Sequence, residues 1–211
     1  MKKIAVTMTI EKGDSRYPAS LMACLGSKDP RSFAAIGDPT VLERPLLALF
    51  CSVKCPGDLI LKTFDLAREL REKGVPVIGG FHSPMERECL DLLLKGKQPV
   101  ALCPARSIEN MRIRKEWRKP LDQGRLLILS PFSPDQRRVN TSLAEQRNLF
   151  AAALASSIFI AHAAAGSKTE AFCRKVLAWG KPVLTFDSPA NQTLLDLGAR
   201  PWGVSGDSQA T

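Results

Sequence analysis

From residue 46 onward, short apolar runs alternate with segments whose apolar residues recur at helical spacing. Leu46–Cys51 (LLALFC) is an uninterrupted apolar run of strand length. In the next segment, Leu59–Lys73, Leu59, Phe64, Ala67 and Leu70 fall largely on one face. Arg68, Glu69, Arg71 and Glu72 fall elsewhere, so the segment reads as an amphipathic helix, with Gly74 as its C-cap. The alternation continues with strands at Val75–Ile78, Pro99–Cys103, Leu126–Leu129, Ser157–Ile160 and Pro182–Phe186. Between and after them lie helical patterns at Pro84–Leu94, Ser142–Leu154, Lys168–Trp179 and Gln192–Leu197.

Short strands without polar alternation are what a parallel sheet covered on both faces requires. Strand–helix–strand units joined by right-handed crossovers then give an α/β domain over 46–200: a doubly wound, mostly parallel sheet of extended Rossmann-like type with helices on both faces. Residues 1–45, with Pro18, Pro30, Pro39 and Pro45, lack the rhythm and read as an irregular leader packed on the sheet. Residues 201–211 read as a tail.

At 211 residues, 45% hydrophobic and 24% charged, the chain is average for a globular domain, which excludes wholesale disorder. The apolar run after Lys2 and Lys3 is too short for a signal peptide, and no stretch approaches a membrane span. Six cysteines are too few for a secreted disulfide scaffold, so the expected setting is the cytoplasm, with reduced thiols. Thirty Lys+Arg against 21 Asp+Glu give a net charge of +9, a balance that favours anionic partners.

Ligands of open α/β sheets bind beyond the carboxyl ends of the strands, so the turns there carry the candidate chemistry. The first, Cys51-Ser52-Val53-Lys54-Cys55-Pro56-Gly57, is a small-residue turn into a helix whose N–H groups suit a phosphate. It lacks the GxGxxG pattern of dinucleotide binding. Gly79-Gly80-Phe81-His82-Ser83 follows the second strand, and Ala163-Ala164-Ala165-Gly166-Ser167-Lys168-Thr169-Glu170 follows the fifth. Gly166-Ser167-Lys168-Thr169 lacks the first glycine of a P-loop and has Ser167 between Gly and Lys, so it is no NTPase motif; read alone it is a tight turn with a serine N-cap. Together the three turns are expected to share an anion pocket.

The cysteines form no zinc pattern: Cys51 and Cys55 are a CxxxC pair without partners, and Cys103 and Cys173 read as core. Neither a metal nor a cofactor is expected. His82 and His162 lie in loops after strands, without a Ser/His/Asp pattern around them. Trp117, Trp179 and Trp202 read as packing groups. Basic residues cluster at Arg106, Arg112, Arg114, Lys115, Arg118 and Lys119, and again at Arg137, Arg138 and Arg147. Both clusters follow strands, which would line a groove for a polyanion.

Ala144-Glu145-Gln146-Arg147-Asn148-Leu149-Phe150-Ala151-Ala152-Ala153-Leu154-Ala155, followed by a strand and Ala163-Ala164-Ala165-Gly166-Ser167, resembles the signature of the DprA/Smf DNA-processing family. There an Arg-Asn pair opens a helix of the RNRIIAGLS kind, and a strand leads to an EAxxxSGS turn. Asp14-Ser15-Arg16-Tyr17-Pro18-Ala19-Ser20-Leu21 with Asp38-Pro39-Thr40-Val41-Leu42 is similar to the family's YPxxL entry, and Ser130-Pro131-Phe132 stands at its SEFP. The resemblance spans most of 14–200. It implies an extended Rossmann fold that binds single-stranded DNA, pairs as a homodimer and assists a RecA-type recombinase in recombination or DNA uptake. The family's GSR is Cys51-Ser52-Val53 here, so its arginine is missing beside Lys54.

On this reading Ser52, Lys54, Gly80, Arg147, Asn148, Gly166, Ser167 and Lys168 meet phosphate, and Arg112, Arg114 and Lys115 extend the track. Arg147 is expected at the start of its helix, facing the 163–167 turn. An alternative is a LOG-type phosphoribohydrolase of the same superfamily, or a nucleotide sensor. Arg147 would hold the nucleotide's phosphate and Glu170 would stabilise an oxocarbenium ion, although Ala163-Ala164-Ala165 replaces that family's PGG.

Overall fold

The computed structural model describes residues 6–203. Nine strands form one sheet: β1 (Met8–Glu11), β2 (Ser32–Ile36), β3 (Leu47–Phe50), β4 (Val77–Gly79), β5 (Val100–Leu102), β6 (Leu126–Ser130), β7 (Ser157–Ile160), β8 (Val183–Thr185) and β9 (Arg200–Pro201). Their spatial order is β1-β2-β6-β5-β4-β3-β7-β8-β9. The pairs from β6 through β9 are parallel, whereas β1–β2 and β2–β6 are antiparallel.

Alternation within each apolar run explains why the strands are apolar throughout. Ala48, Phe50, Ile78, Ala101, Leu127 and Ile158 pack on one face, and Leu47, Leu49, Val77, Val100, Leu126 and Phe159 on the other. Helices α1 (Ala19–Leu25), α5 (Thr141–Leu154), α6 (Lys168–Leu177) and α7 (Gln192–Asp196) cover the first face. Helices α2 (Gly57–Lys73), α3 (Pro84–Leu93) and α4 (Lys115–Asp122) cover the second. This is the expected doubly wound α/β sheet. Gly74 ends α2 in the left-handed conformation (φ 72°) that glycine adopts without strain, and its N–H reaches the Leu70 and Arg71 carbonyls.

The leader is not irregular, which corrects the expectation for 1–45. It supplies β1, α1 and β2, and so adds two antiparallel strands to the β6 edge. At the other end Arg200–Pro201 joins the sheet as β9, its second residue falling where the tail was expected to begin; residues 1–5 and 204–211 lie outside the described part. Among the described residues no helix is long and apolar enough to cross a membrane.

Strand order reverses at β3. The chain winds outward through β4, β5 and β6, then returns along α5 to place β7 on the other side of β3. The crevice beyond the ends of β3 and β7 is therefore the topological switch point, the favoured ligand position in such sheets.

Candidate nucleic-acid interface

The loops after β3 and β7 meet at the floor of this crevice, where Ser52 N–H donates to the His162 carbonyl at 3.0 Å. Behind it His162 is buried, its Nδ1 3.0 Å from Asn191 Oδ1, while Asn191 Nδ2 donates to the Ala161 carbonyl at 3.0 Å and to Thr185 Oγ1 at 2.9 Å. Both residues are thus engaged in holding the β7 and β8 ends together.

Glu86 joins the loops after β3 and β4. Its Oε2 accepts from His82 N–H at 2.9 Å and Ser83 N–H at 3.1 Å, and its Oε1 accepts from Cys51 N–H at 3.3 Å. Ser83 Oγ in turn accepts from Glu86 N–H, closing a capping box with Pro84 at the first helical position. Sequence reading passed over Glu86, although Ser83-Pro84-Met85-Glu86 carries the Ser-x-x-Glu signal. Within the same turn Phe81 holds a left-handed backbone (φ 46°), a conformation that costs a side-chain-bearing residue about 1–3 kcal/mol.

Arg147 lies midway along α5, not at its start, and is only 5% exposed. Its guanidinium crosses the edge of the sheet: Nη1 donates to the Cys103 carbonyl at 3.0 Å and Nε to Asn148 Oδ1 at 2.7 Å. It lies so close on Gly80 that a Cβ there would sit 1.4 Å from Nη1. Arg147 therefore faces the β4 and β5 ends, which corrects the expectation that it faces the 163–167 turn. Burial pulls its pKa down from the ordinary arginine value, while the charge of Glu86 acts in the opposite sense. Nη2 has no protein acceptor among the described residues.

The three turns do not close on one shared pocket. Arg147 and His82 stand between two cavities instead. The crevice cavity, about 300 Å³, lies between α5 and α6 and takes in Arg147, Asn148 and Lys168 of the expected residues, with Phe50 from the end of β3 and Cys51 and Val53 from the first turn. The arginine cavity, about 340 Å³, lies beyond β4 and β5 and takes in Gly80, Arg112, Arg114 and Arg147. Ser52, Lys54, Lys115, Gly166, Ser167 and Glu170 line neither.

Several of these residues have local work. Ser167 is the N-cap of α6, its Oγ accepting from Glu170 N–H at 3.1 Å. Glu170 Oε2 accepts from Gly166 N–H at 2.5 Å and Oε1 from Arg174 Nη2 at 2.7 Å. Those bonds hold its carboxyl below the usual carboxylate range. Lys168 pairs with Glu145 at 2.7 Å on the surface. The Cys51 thiol donates to Cys55, which raises the pKa of Cys51 and lowers that of Cys55. Cys103 and Cys173 are buried as expected. Among the described residues no His/Cys/Asp/Glu cluster is suited to a metal ion.

The sequence model of the family described as DNA recombination-mediator protein A matches residues 8–201. The chain belongs to this family. No curated protein matches it by sequence. Among solved structures, the DNA processing protein A (DprA) of Streptococcus pneumoniae is 17% identical at a TM-score of 0.75, over 95% of this chain and 72% of that one. The DNA processing protein A of Helicobacter pylori, whose structure concerns its single-stranded DNA binding mode, is 19% identical at a TM-score of 0.74, over 95% of this chain and 93% of that one. The molybdenum cofactor binding protein of Rippkaea orientalis is 12% identical at a TM-score of 0.50, over 73% of this chain and 84% of that one. At these identities the likeness is one of fold. Family membership makes this a DNA-processing protein, with the extended Rossmann-like sheet that the sequence resemblance implied.

Proposed function

We propose that the protein holds single-stranded DNA along the carboxyl edge of its sheet, without covalent chemistry, and that Arg147 is the central phosphate ligand. The observation that carries this reading is the guanidinium itself. It is charged, nearly buried, fixed by Cys103 and Asn148, and has a free Nη2 between two cavities. A planar fork set in advance can take phosphate oxygens without further ordering cost. Asn148 and Lys168 flank it in the crevice, and Arg112 and Arg114 continue the positive surface in the arginine cavity. The H. pylori relative supports the choice of ligand. Support of recombination or DNA uptake, with a RecA-type recombinase and a second copy of the chain as partners, belongs to the same proposal and rests on family membership.

The test is the fluorescence anisotropy of labelled oligo-dT with the parent protein, Arg147→Lys and Arg147→Ala, with melting temperatures measured alongside. Lysine keeps the charge and loses the fork, so affinity falls by roughly 1–3 kcal/mol, the scale of charge-assisted hydrogen bonds. Alanine costs at least as much. If both variants stay folded and bind like the parent, the reading fails.

A further inference from the structure

The arginine cavity differs from the crevice in chemistry. Helix α3 contributes Arg87, Glu88 and Asp91 to it, and the loop after β5 contributes Arg106, Arg112 and Arg114. With Arg147 this makes five guanidinium groups against two carboxylates around one concave space of about 340 Å³. Among the described residues the guanidinium groups of Arg87, Arg106 and Arg112 have no hydrogen bond or ion pair, and that of Arg114 lies over the Trp117 ring at 4.8 Å. In the crevice, by contrast, Lys168 is already paired with Glu145. Unpaired cations drawn to one cavity repel each other, and a bound anion relieves that repulsion.

Apolar side chains share the lining with these charges. Leu102, Met111 and Trp117 back it from the core, and Pro104 and the exposed Val139 present apolar surface to the space itself. A bare inorganic anion would use the guanidinium groups and leave the apolar surface at Pro104 and Val139 uncovered. An apolar ligand would use that surface and leave the guanidinium groups without partners. A ligand with a phosphate at one end and a flat, partly apolar ring at the other uses both, and the volume falls in the usual range for small-molecule sites, about 300–1,000 Å³.

We propose that the arginine cavity is a nucleoside phosphate site, separate from the crevice. The phosphate is held by Arg106 and Arg112, the base lies against Pro104 and Val139, and Glu88 and Asp91 accept from base amino or sugar hydroxyl groups. The ligand is either a free nucleotide or one nucleotide unit of a bound strand. Only the second source rests on the function proposed above.

Calorimetric titration with dGMP, deoxyguanosine and inorganic phosphate tests the site. The expected result is that dGMP binds at least tenfold more tightly than either fragment. The double substitution Arg106→Ser/Arg112→Ser should weaken dGMP at least tenfold. Val139→Trp should do the same by filling the mouth of the cavity, because Val139 is 45% exposed there and its replacement leaves the core intact. Displacement of dGMP by equimolar oligo-dT, together with weaker oligo-dT binding by the double variant, assigns the site to the strand. Retention of dGMP under oligo-dT assigns it to a free nucleotide. Binding of dGMP by a protein that binds no oligo-dT leaves this site standing and removes the DNA-binding reading. The site is overturned if dGMP does not bind, or if its affinity is unchanged in both cavity variants. It is equally overturned if Lys168→Ala, in the crevice, is the variant that loses dGMP.

Discussion

A hydrogen atom at Gly80 is what lets the Arg147 guanidinium lie flat across the sheet edge. Gly80→Ala places a methyl group inside that guanidinium, so either the turn or the arginine must move. The expected cost is about 1–3 kcal/mol in urea unfolding, accompanied by weaker oligo-dT binding; an unchanged midpoint would mean that Arg147 has another resting place. At Glu170 the bonds from Arg174 and Gly166 depress the folded-state pKa. A carboxylate with a depressed folded pKa contributes stability above its unfolded pKa and loses that contribution as pH falls through the folded value. Glu170→Gln should therefore melt lower than the parent at pH 7, and the gap should close as pH drops below the usual carboxylate range. Thiol chemistry divides in the same residue-by-residue way. Burial pushes Cys103 and Cys89 up to about 12, whereas Cys55 is lowered by its bond from Cys51. Mild alkylation of the native protein at pH 8, read by peptide mass, should mark Cys55 first and leave Cys89 and Cys103 untouched.

Helix α5 ends against a side chain from another element. Lys181, just before β8, donates from Nζ to the carbonyls of Ala152 at 2.9 Å, Ala153 at 2.6 Å and Ala155. These include carbonyls that a helix C-terminus leaves without intrahelical donors, and a cation also complements the helix dipole there. Lys181→Met keeps the aliphatic stem and removes the donors, so unfolding should become easier by about 1.5–3 kcal/mol; a change below a few tenths would show that water replaces the ammonium freely. Elements differed in how readable they were. β3 to β8 were visible because burial on both faces writes an unbroken apolar run. β1 (MTIE) and β2 (SFAAI) sit on the antiparallel flank and carry short, mixed patterns. α1 buries only Leu21 and starts from Pro18 without a side-chain cap, so no stripe marks it. α4 hides within the basic run, with Pro120 inside it and only Trp117 and Pro120 buried. The site was legible in the same partial way. Strand ends and the helix that carries the Arg147–Asn148 pair could be read from sequence, but not the place of Arg147 midway along α5, and the direction of its side chain depends on where β4 and β5 end. The split into two cavities depends on the 104–114 loop, which has no periodicity to read.

Charge acts over the molecule as a whole. Four side chains on the proposed path, Arg112, Arg114, Arg147 and Lys168, each neutralising one phosphate, give a slope of about −3 in log affinity against log salt for a single strand. Anisotropy with oligo-dT from low to moderate salt measures it, and affinity independent of salt would sink the electrostatic account. The path of the chain has a further consequence. On leaving β6, α5 passes over three strands before β7 begins, so it is the covalent bridge between the two flanks of the sheet. Arg147 fastens that bridge to the far flank at Cys103. A ligand gripping Arg147 together with the loops after β4 and β5 would tie the flanks at a point where the backbone does not. Opening of the β7–β9 flank would then have to release the ligand as well. Amide hydrogen exchange in β7 and β8 should slow when oligo-dT is added, although neither strand lies in the path of the nucleotide; slowing confined to the cavity walls would mean that the two flanks breathe independently.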